Sequence, residues 1–236
     1  MQLIGLLGGM SWESSAEYYR LANEMVRERC GGLHSARCLM YSVDFAEIER
    51  MQVEGRWEEA AGVLAEAARA LEAGGADFIV LCTNTMHKVA DAVADAVAVP
   101  LLHIVDTTAV AVRATGVSRV GLLGTGFTMS DPFYVDRLAA HGIDVVLPSV
   151  GEQAQVHRII YDELCRGVIR DESRELYRQV IGGLVEAGAE GVILGCTEIE
   201  LLVGPDDSPV PVYPTTRIHV QAAVERALAG GGTQPE

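Results

Sequence analysis

The chain has 236 residues, 49% of them apolar, enough for one large domain or two of roughly 100–120 residues, each able to bury a core. A formal net charge of −15 disfavours nucleic acid and anionic membrane surfaces as partners, and no apolar stretch reaches the ~18–20 residues that span a bilayer. Five cysteines without paired spacing, no CxxC, no HExxH and no recognisable leader segment lead us to expect free thiols, no metal and a cytoplasmic location.

Along the chain, Leu3 to Leu7 is short and wholly apolar, the pattern of a strand buried on both faces, and Gly8-Gly9-Met10-Ser11 reads as a tight turn into a helix. That helix carries Tyr18, Leu21, Ala22, Met25 and Val26 on one stripe, with charges opposite. A strand is expected over 37–43, a helix over 57–71, and a strand over 78–81 that ends at Cys82. The order then repeats. Ile4-Gly5-Leu6-Leu7-Gly8-Gly9 is echoed by Val120-Gly121-Leu122-Leu123-Gly124-Thr125, Cys82-Thr83 by Cys196-Thr197, and Val99-Pro100 by Val210-Pro211, at a nearly constant offset. Three echoes in one order indicate a duplicated unit.

Strand-helix alternation with short apolar strands implies parallel sheets with helices on both faces. The expected fold is therefore α/β, with two pseudo-symmetric Rossmann-like or flavodoxin-like domains. Ligands of such sheets sit outside the carboxyl ends of the strands, where all four motifs fall, so the cleft between the halves is the expected site. No Pro- or Ser-rich linker separates the halves. The third echo suggests that the C-terminal segment crosses back, giving an expected division into 1–98 plus 209–230 and 99–208, with 231–236 a disordered tail.

Inverting an α-carbon requires removing a proton from one face and delivering one to the other, so two acid/base groups must flank one atom. Two thiols, each at a strand end and before a helix start whose N–H groups and dipole favour anions, suit that task. The α-proton is too weakly acidic for an unaided thiolate, so backbone donors must stabilise the developing charge. A lone buried cysteine is ordinarily a small core residue; the matched placement of Cys82 and Cys196 argues otherwise for the pair. Cys30, Cys38 and Cys165 lack that context and read as structural or surface thiols. His87 either tunes a thiol or holds a helix in place, and Glu198 either polarises Cys196 or caps its helix. The Gly-rich turns could instead cradle phosphate, but the full GxGxxG fingerprint and the Walker lysine are missing.

Through Gly5-Leu6-Leu7-Gly8-Gly9-Met10-Ser11-Trp12, Leu81-Cys82-Thr83-Asn84-Thr85-Met86-His87-Lys88 and Gly195-Cys196-Thr197-Glu198-Ile199, essentially the whole chain resembles the aspartate/glutamate racemases. The resemblance implies a cofactor-independent amino-acid racemase, commonly a homodimer, with Cys82 and Cys196 as the two bases. It also implies that Gly9, Met10, Thr83, Asn84, Thr85, Thr125, Thr197 and Glu198 line the substrate. Glutamate racemases carry Asp-Ser where this chain has Met10-Ser11, and His where it has Glu198, so the aspartate-type or broad-specificity branch is the better match. The basic residue that would hold a side-chain carboxylate is replaced by the acidic stretch Asp44-Phe45-Ala46-Glu47; Arg50 and Arg166 are the remaining candidates, which keeps a neutral or broad substrate open. A hydantoin racemase, another isomerase on the same scaffold and a non-catalytic small-carboxylate binder are the alternatives.

Overall fold

The computed structural model describes residues 1–230; the expectation for 231–236 lies outside them. The chain divides into two compact units, unit 1 formed by Met1–His103 with the segment from His219 onward, and unit 2 by Ile104–Ile218. Among the described residues no helix is long and apolar enough to cross a membrane.

Unit 1 runs through β1 (Ile4–Gly8), α1 (Trp12–Cys30), β2 (Cys38–Ser42), α2 (Phe45–Val53), α3 (Trp57–Ala73), β3 (Phe78–Leu81), a 3-10 turn (Thr85–Val89), α4 (Ala90–Ala94) and β4 (Leu101–Leu102). The strands form one parallel sheet in the order β2-β1-β3-β4. Because both faces are covered, β1 and β3 are apolar at every position, and successive residues pack to opposite sides. Ile4, Leu6, Phe78, Val80 and Cys82 join the stripe of α1 in one core cluster, whereas Leu7, Ile79 and Leu81 join α2 and α3 in another.

Unit 2 repeats the plan with α5 (Ile104–Ala114), β5 (Arg119–Gly124), α6 (Gly126–Ser130), α7 (Pro132–Ala140), β6 (Asp144–Val146), α8 (Val150–Asp162), α9 (Asp171–Glu186), β7 (Gly191–Gly195), α10 (Ile199–Leu202) and β8 (Val212–Pro214); α11 (Thr215–Ala229) follows, and from His219 it belongs to unit 1. Its parallel sheet has the equivalent order, β6-β5-β7-β8. Val120, Leu122 and Ile193 pack with α5 and α7, while Leu123, Val192, Leu194 and Cys196 pack with α8 and α9.

The division differs from the expected 98/99 and 208/209 boundaries. β4 pairs with β3 and β8 with β7, so each Val-Pro segment leads into a strand of the sheet that precedes it in the chain. The exchange is made by the helices that follow: α5 joins the core of unit 2, and Val220, Ala223, Val224 and Ala227 of α11 join the core of unit 1. Hydrogen bonding held the strand ends, which the offset of a sequence echo does not register.

The acidic stretch after β2 is also not a loop. Asp44 caps the N-terminus of α2, its carboxylate accepting the Ala46 N–H at 3.1 Å, and Glu47 lies in the first turn, where acids suit the exposed N–H groups.

At the exit of β1 the chain turns at Gly9, whose φ of +94° and approach to Val43 leave no room for a side chain; a Cβ would lie 2.2 Å from the Val43 carbonyl oxygen. Gly9→Ala is expected to destabilise the fold by on the order of 1–3 kcal/mol, measured by urea unfolding; an unchanged midpoint would contradict this account of the turn.

Candidate active site

In unit 1 the carboxyl ends of β1 and β3 bring together Gly9, Met10, Cys82, Thr83, Asn84 and Thr85, all buried. Cys82 continues β3 by one residue, its N–H donating to the Leu7 carbonyl at 2.9 Å. The turn that follows is held by side chains of α1. Ser14 Oγ donates to the Cys82 carbonyl at 3.2 Å, while Ser15 Oγ accepts the Gly9 N–H at 2.7 Å and donates to the Ser11 carbonyl at 2.9 Å. The Gly9 N–H, expected to meet substrate, is therefore committed to Ser15. Cys82 Sγ points back along its strand and donates to the Val80 carbonyl at 3.5 Å.

In unit 2 the ends of β5 and β7 gather Thr125, Cys196, Thr197 and Glu198, again all buried. Thr125 caps α6, its Oγ1 accepting the Thr128 N–H at 3.3 Å, and the Gly126 N–H donates to His157 Nδ1 at 3.0 Å. Thr216 Oγ1 donates to Thr197 Oγ1 at 3.2 Å, and Thr215 Oγ1 donates to the Leu194 carbonyl at 2.8 Å. Cys196 Sγ donates to Glu198 Oε2 at 3.0 Å. Glu198 makes no side-chain cap on α10, so of its two readings the contact with the thiol is the one realised. Arg166 is exposed at the end of a 3-10 turn (Leu164–Arg166), and Arg50 is exposed in the last turn of α2.

Two expectations are corrected here. The elements after the cysteines are a five-residue 3-10 turn and a four-residue helix, too short to present a substantial dipole. Burial dominates instead: it pushes the Cys82 thiol far above the ordinary thiol range, with Cys38 adding to the effect, and raises the Cys196 thiol likewise, with the charge of Glu198 adding. Both thiols are neutral at pH 7.

The cysteines are also not equivalent by register. Cys82 lies one residue beyond the Leu7–Leu81 pair, whereas Cys196 lies one residue beyond Gly124–Gly195. Since Leu7 matches Leu123 and Gly8 matches Gly124, β7 runs one residue further along its partner before reaching its cysteine. One residue of slip exchanges faces. Cys82 packs with the α1 side of its sheet and Cys196 with the α8–α9 side of its own.

Sequence reasoning missed Ser14, Ser15, His157 and the role of Thr216. Paired hydroxyls in the first turn of α1 were the available signal for the first two, since short hydroxyl side chains there reach backbone groups of the preceding turn.

The family profile described as Asp/Glu/Hydantoin racemase matches residues 7–223. The chain belongs to this family. Among solved structures, a protein of Yersinia pestis assigned to the Asp/Glu racemases is 52% identical over 97% of this chain and 100% of its own, with a TM-score of 0.91. An aspartate racemase homologue from Pyrococcus horikoshii OT3 is 36% identical over 97% and 100% of the two chains, with a TM-score of 0.85. The broad-specificity amino-acid racemase of Bacillus subtilis (strain 168) is 24% identical over 96% of this chain and 99% of its own. The α/β architecture with two four-stranded parallel sheets is that of these racemase-family structures. Among the described residues no group of three or more His, Cys, Asp and Glu side chains could hold a metal ion.

For this racemase-family chain the neutral state of the thiols has a direct readout. Iodoacetamide at pH 7 is expected to label exposed Cys30 well before Cys82 and Cys196, with the latter two gaining reactivity only as pH rises past the ordinary thiol range, followed by peptide mass spectrometry. Rapid labelling of either at pH 7 would show a resting thiolate.

Proposed function

We propose that the chain is a cofactor-independent racemase of free amino acids, with Cys82 and Cys196 as its two bases. The observation that carries this reading is the pair of buried thiols, each one residue beyond the central strand of its sheet, in a chain of the racemase family.

In the proposed reaction a thiolate takes the α-proton, the Cα–H electron pair delocalises into the α-carboxylate, and the opposite thiol delivers its S–H proton to the other face. Thiol and thiolate have then exchanged places, so the next turnover in the same direction requires a proton to return. Because both thiols are neutral before substrate arrives, one must first lose its proton. Glu198, which already accepts the Cys196 S–H, is the group placed to take it. Backbone and hydroxyl donors at the strand ends would stabilise the carbanionic charge in surroundings that exclude water.

For the substrate, a broad or neutral set is the better fit. The stretch after β2 offers no basic side chain before Arg50, and both basic candidates, Arg50 and Arg166, are exposed. The Bacillus subtilis relative is itself named a broad-specificity enzyme.

The deciding experiment is deuterium incorporation from solvent into L- and D-aspartate, glutamate, homoserine, methionine and alanine, read by NMR with chiral chromatography and without added cofactor. Exchange with inversion, fastest for a neutral amino acid and unaffected by pyridoxal phosphate, is expected. Exchange confined to aspartate would refute the broad reading, and ligand binding without any exchange would favour the non-catalytic carboxylate binder. Cys82→Ser and Cys196→Ser are each expected to lower kcat by at least about 100-fold; a single mutant at the wild-type rate would remove the two-base mechanism. Glu198→Gln, which cannot take the thiol proton, is expected to lower kcat more than it changes KM, measured by steady-state polarimetry; an unchanged kcat would exclude that role.

A further inference from the structure

Unit 1 buries three histidines and a tyrosine beside the Cys82 turn. His87 lies on the 3-10 turn that follows the cysteine, His103 follows β4, His219 lies on α11 and Tyr18 on α1, and their exposures are 3%, 7%, 0% and 1%. Imidazoles are costly to bury unless their nitrogens find partners, so each partner reports where the hydrogens are. The Leu102 carbonyl can only accept, so His219 Nε2, 2.9 Å away, carries a hydrogen. Burial holds the His219 pKa near 4, and in that neutral ring Nδ1 accepts from the Tyr18 hydroxyl, also at 2.9 Å. The His219 ring meets the His87 ring with centroids 5.8 Å apart at 66°, and the His87 ring meets that of His103 at 4.5 Å and 64°.

The same reasoning assigns His87. Its Nδ1 lies 2.7 Å from the Thr83 carbonyl oxygen, an acceptor only, so Nδ1–H is the donor. Two peptides follow Cys82, and each is pinned separately. The Cys82–Thr83 peptide is held by Ser14 Oγ on its carbonyl and by its own N–H donating to Leu81 at 2.9 Å. The Thr83–Asn84 peptide is held at its carbonyl by His87. In a trans peptide the carbonyl and N–H point in opposite directions, so drawing the Thr83 carbonyl toward the histidines turns the Asn84 N–H away from them.

We propose that His87 is a positioning residue: its Nδ1–H, with the ring held by His103 and His219, anchors the Thr83 carbonyl, so that together with Ser14 on the preceding peptide it fixes the turn that carries the Cys82 thiol and sets the direction of the Asn84 N–H. The inference rests on the racemase reading and deepens it. His87 touches no reacting atom; it acts through the turn that carries one.

The test compares wild type with Cys82→Ser, His87→Phe, His87→Asn and His87→Gln, measuring racemisation from both enantiomers with α-protio and α-deuterio substrate, and folding by circular dichroism. Phe fills the space without a donor, Asn places an N–H where Nδ1 was, and Gln places one a methylene further out. His87→Phe is expected to lose about 10- to 100-fold in kcat/KM, the effect of a small misplacement of a reacting group. The loss must be equal for the two enantiomers, because the equilibrium constant of a racemisation is one.

The isotope effect is not bound by that equality. It is expected to rise for the enantiomer deprotonated by Cys82, whose proton transfer has become slower, and to fall for the other. His87→Asn is expected to keep most of the rate and the wild-type isotope effects, and His87→Gln to lose them. If His87→Phe fails to fold, the Asn-versus-Gln comparison decides alone. Racemisation at the wild-type rate by His87→Phe or His87→Gln, equal damage in Asn and Gln, or isotope effects that move together for both enantiomers would overturn the proposal. A wild type that exchanges no α-proton, or a Cys82→Ser variant that racemises normally, would instead refute the racemase reading and the inference with it.

Discussion

The arrangement depends on ending fully buried parallel strands without orphaning their backbone. β1, β3 and β7 are buried along their whole length and β5 along all but its first residue, so where each leaves its sheet it carries peptide groups that water does not reach. Short hydroxyls meet that need. Ser14 and Ser15 serve the exits of β3 and β1, Thr125 caps the helix after β5, and Thr215 takes up the carbonyl of Leu194 near the end of β7. His87 belongs to the same set, differing in that its reach comes from a ring packed among other rings. Within each unit the strand ends are thereby both held and dry.

Dryness decides the state of the thiols. In low dielectric the neutral form wins over whatever a one-turn helix can offer, so both cysteines rest protonated. Their surroundings nevertheless differ. Cys82 faces a carbonyl, which can only hold its proton in place, whereas Cys196 faces a carboxylate, which can take one. The two sheets, alike in strand order, thus hold thiols in unlike surroundings. The one-residue slip of β7 along β5, which sends the two side chains to non-equivalent faces, is the structural counterpart of that difference.

Much of this was legible in the chain. Apolar strands, their order with the helices, the repeated Gly-rich turn and the two Cys-Thr strand ends rest on local patterns of period 2 and 3.6, and the observed strands lie within a residue or so of the expected limits. The helix α2 was missed because Asp44 and Glu47 were weighed as charges facing a ligand, when capping the helix is their local role. The unit boundaries were misplaced because a Val-Pro echo reports descent, and which sheet a strand joins is decided by backbone hydrogen bonds formed far along the chain.

The sequence by itself determined that two similar α/β halves end central strands in cysteines, since burial of alternating faces is written into residue order. Only the tertiary structure decided the register of β7 against β5, the pairing of β4 and β8 with the strands that precede them, the turning of Glu198 toward Cys196 rather than its helix, and the gathering of Tyr18, His87, His103 and His219 from four separate elements. Each of those depends on contacts between distant segments, whose free energies come from packing and hydrogen bonding in three dimensions and leave no period in the sequence.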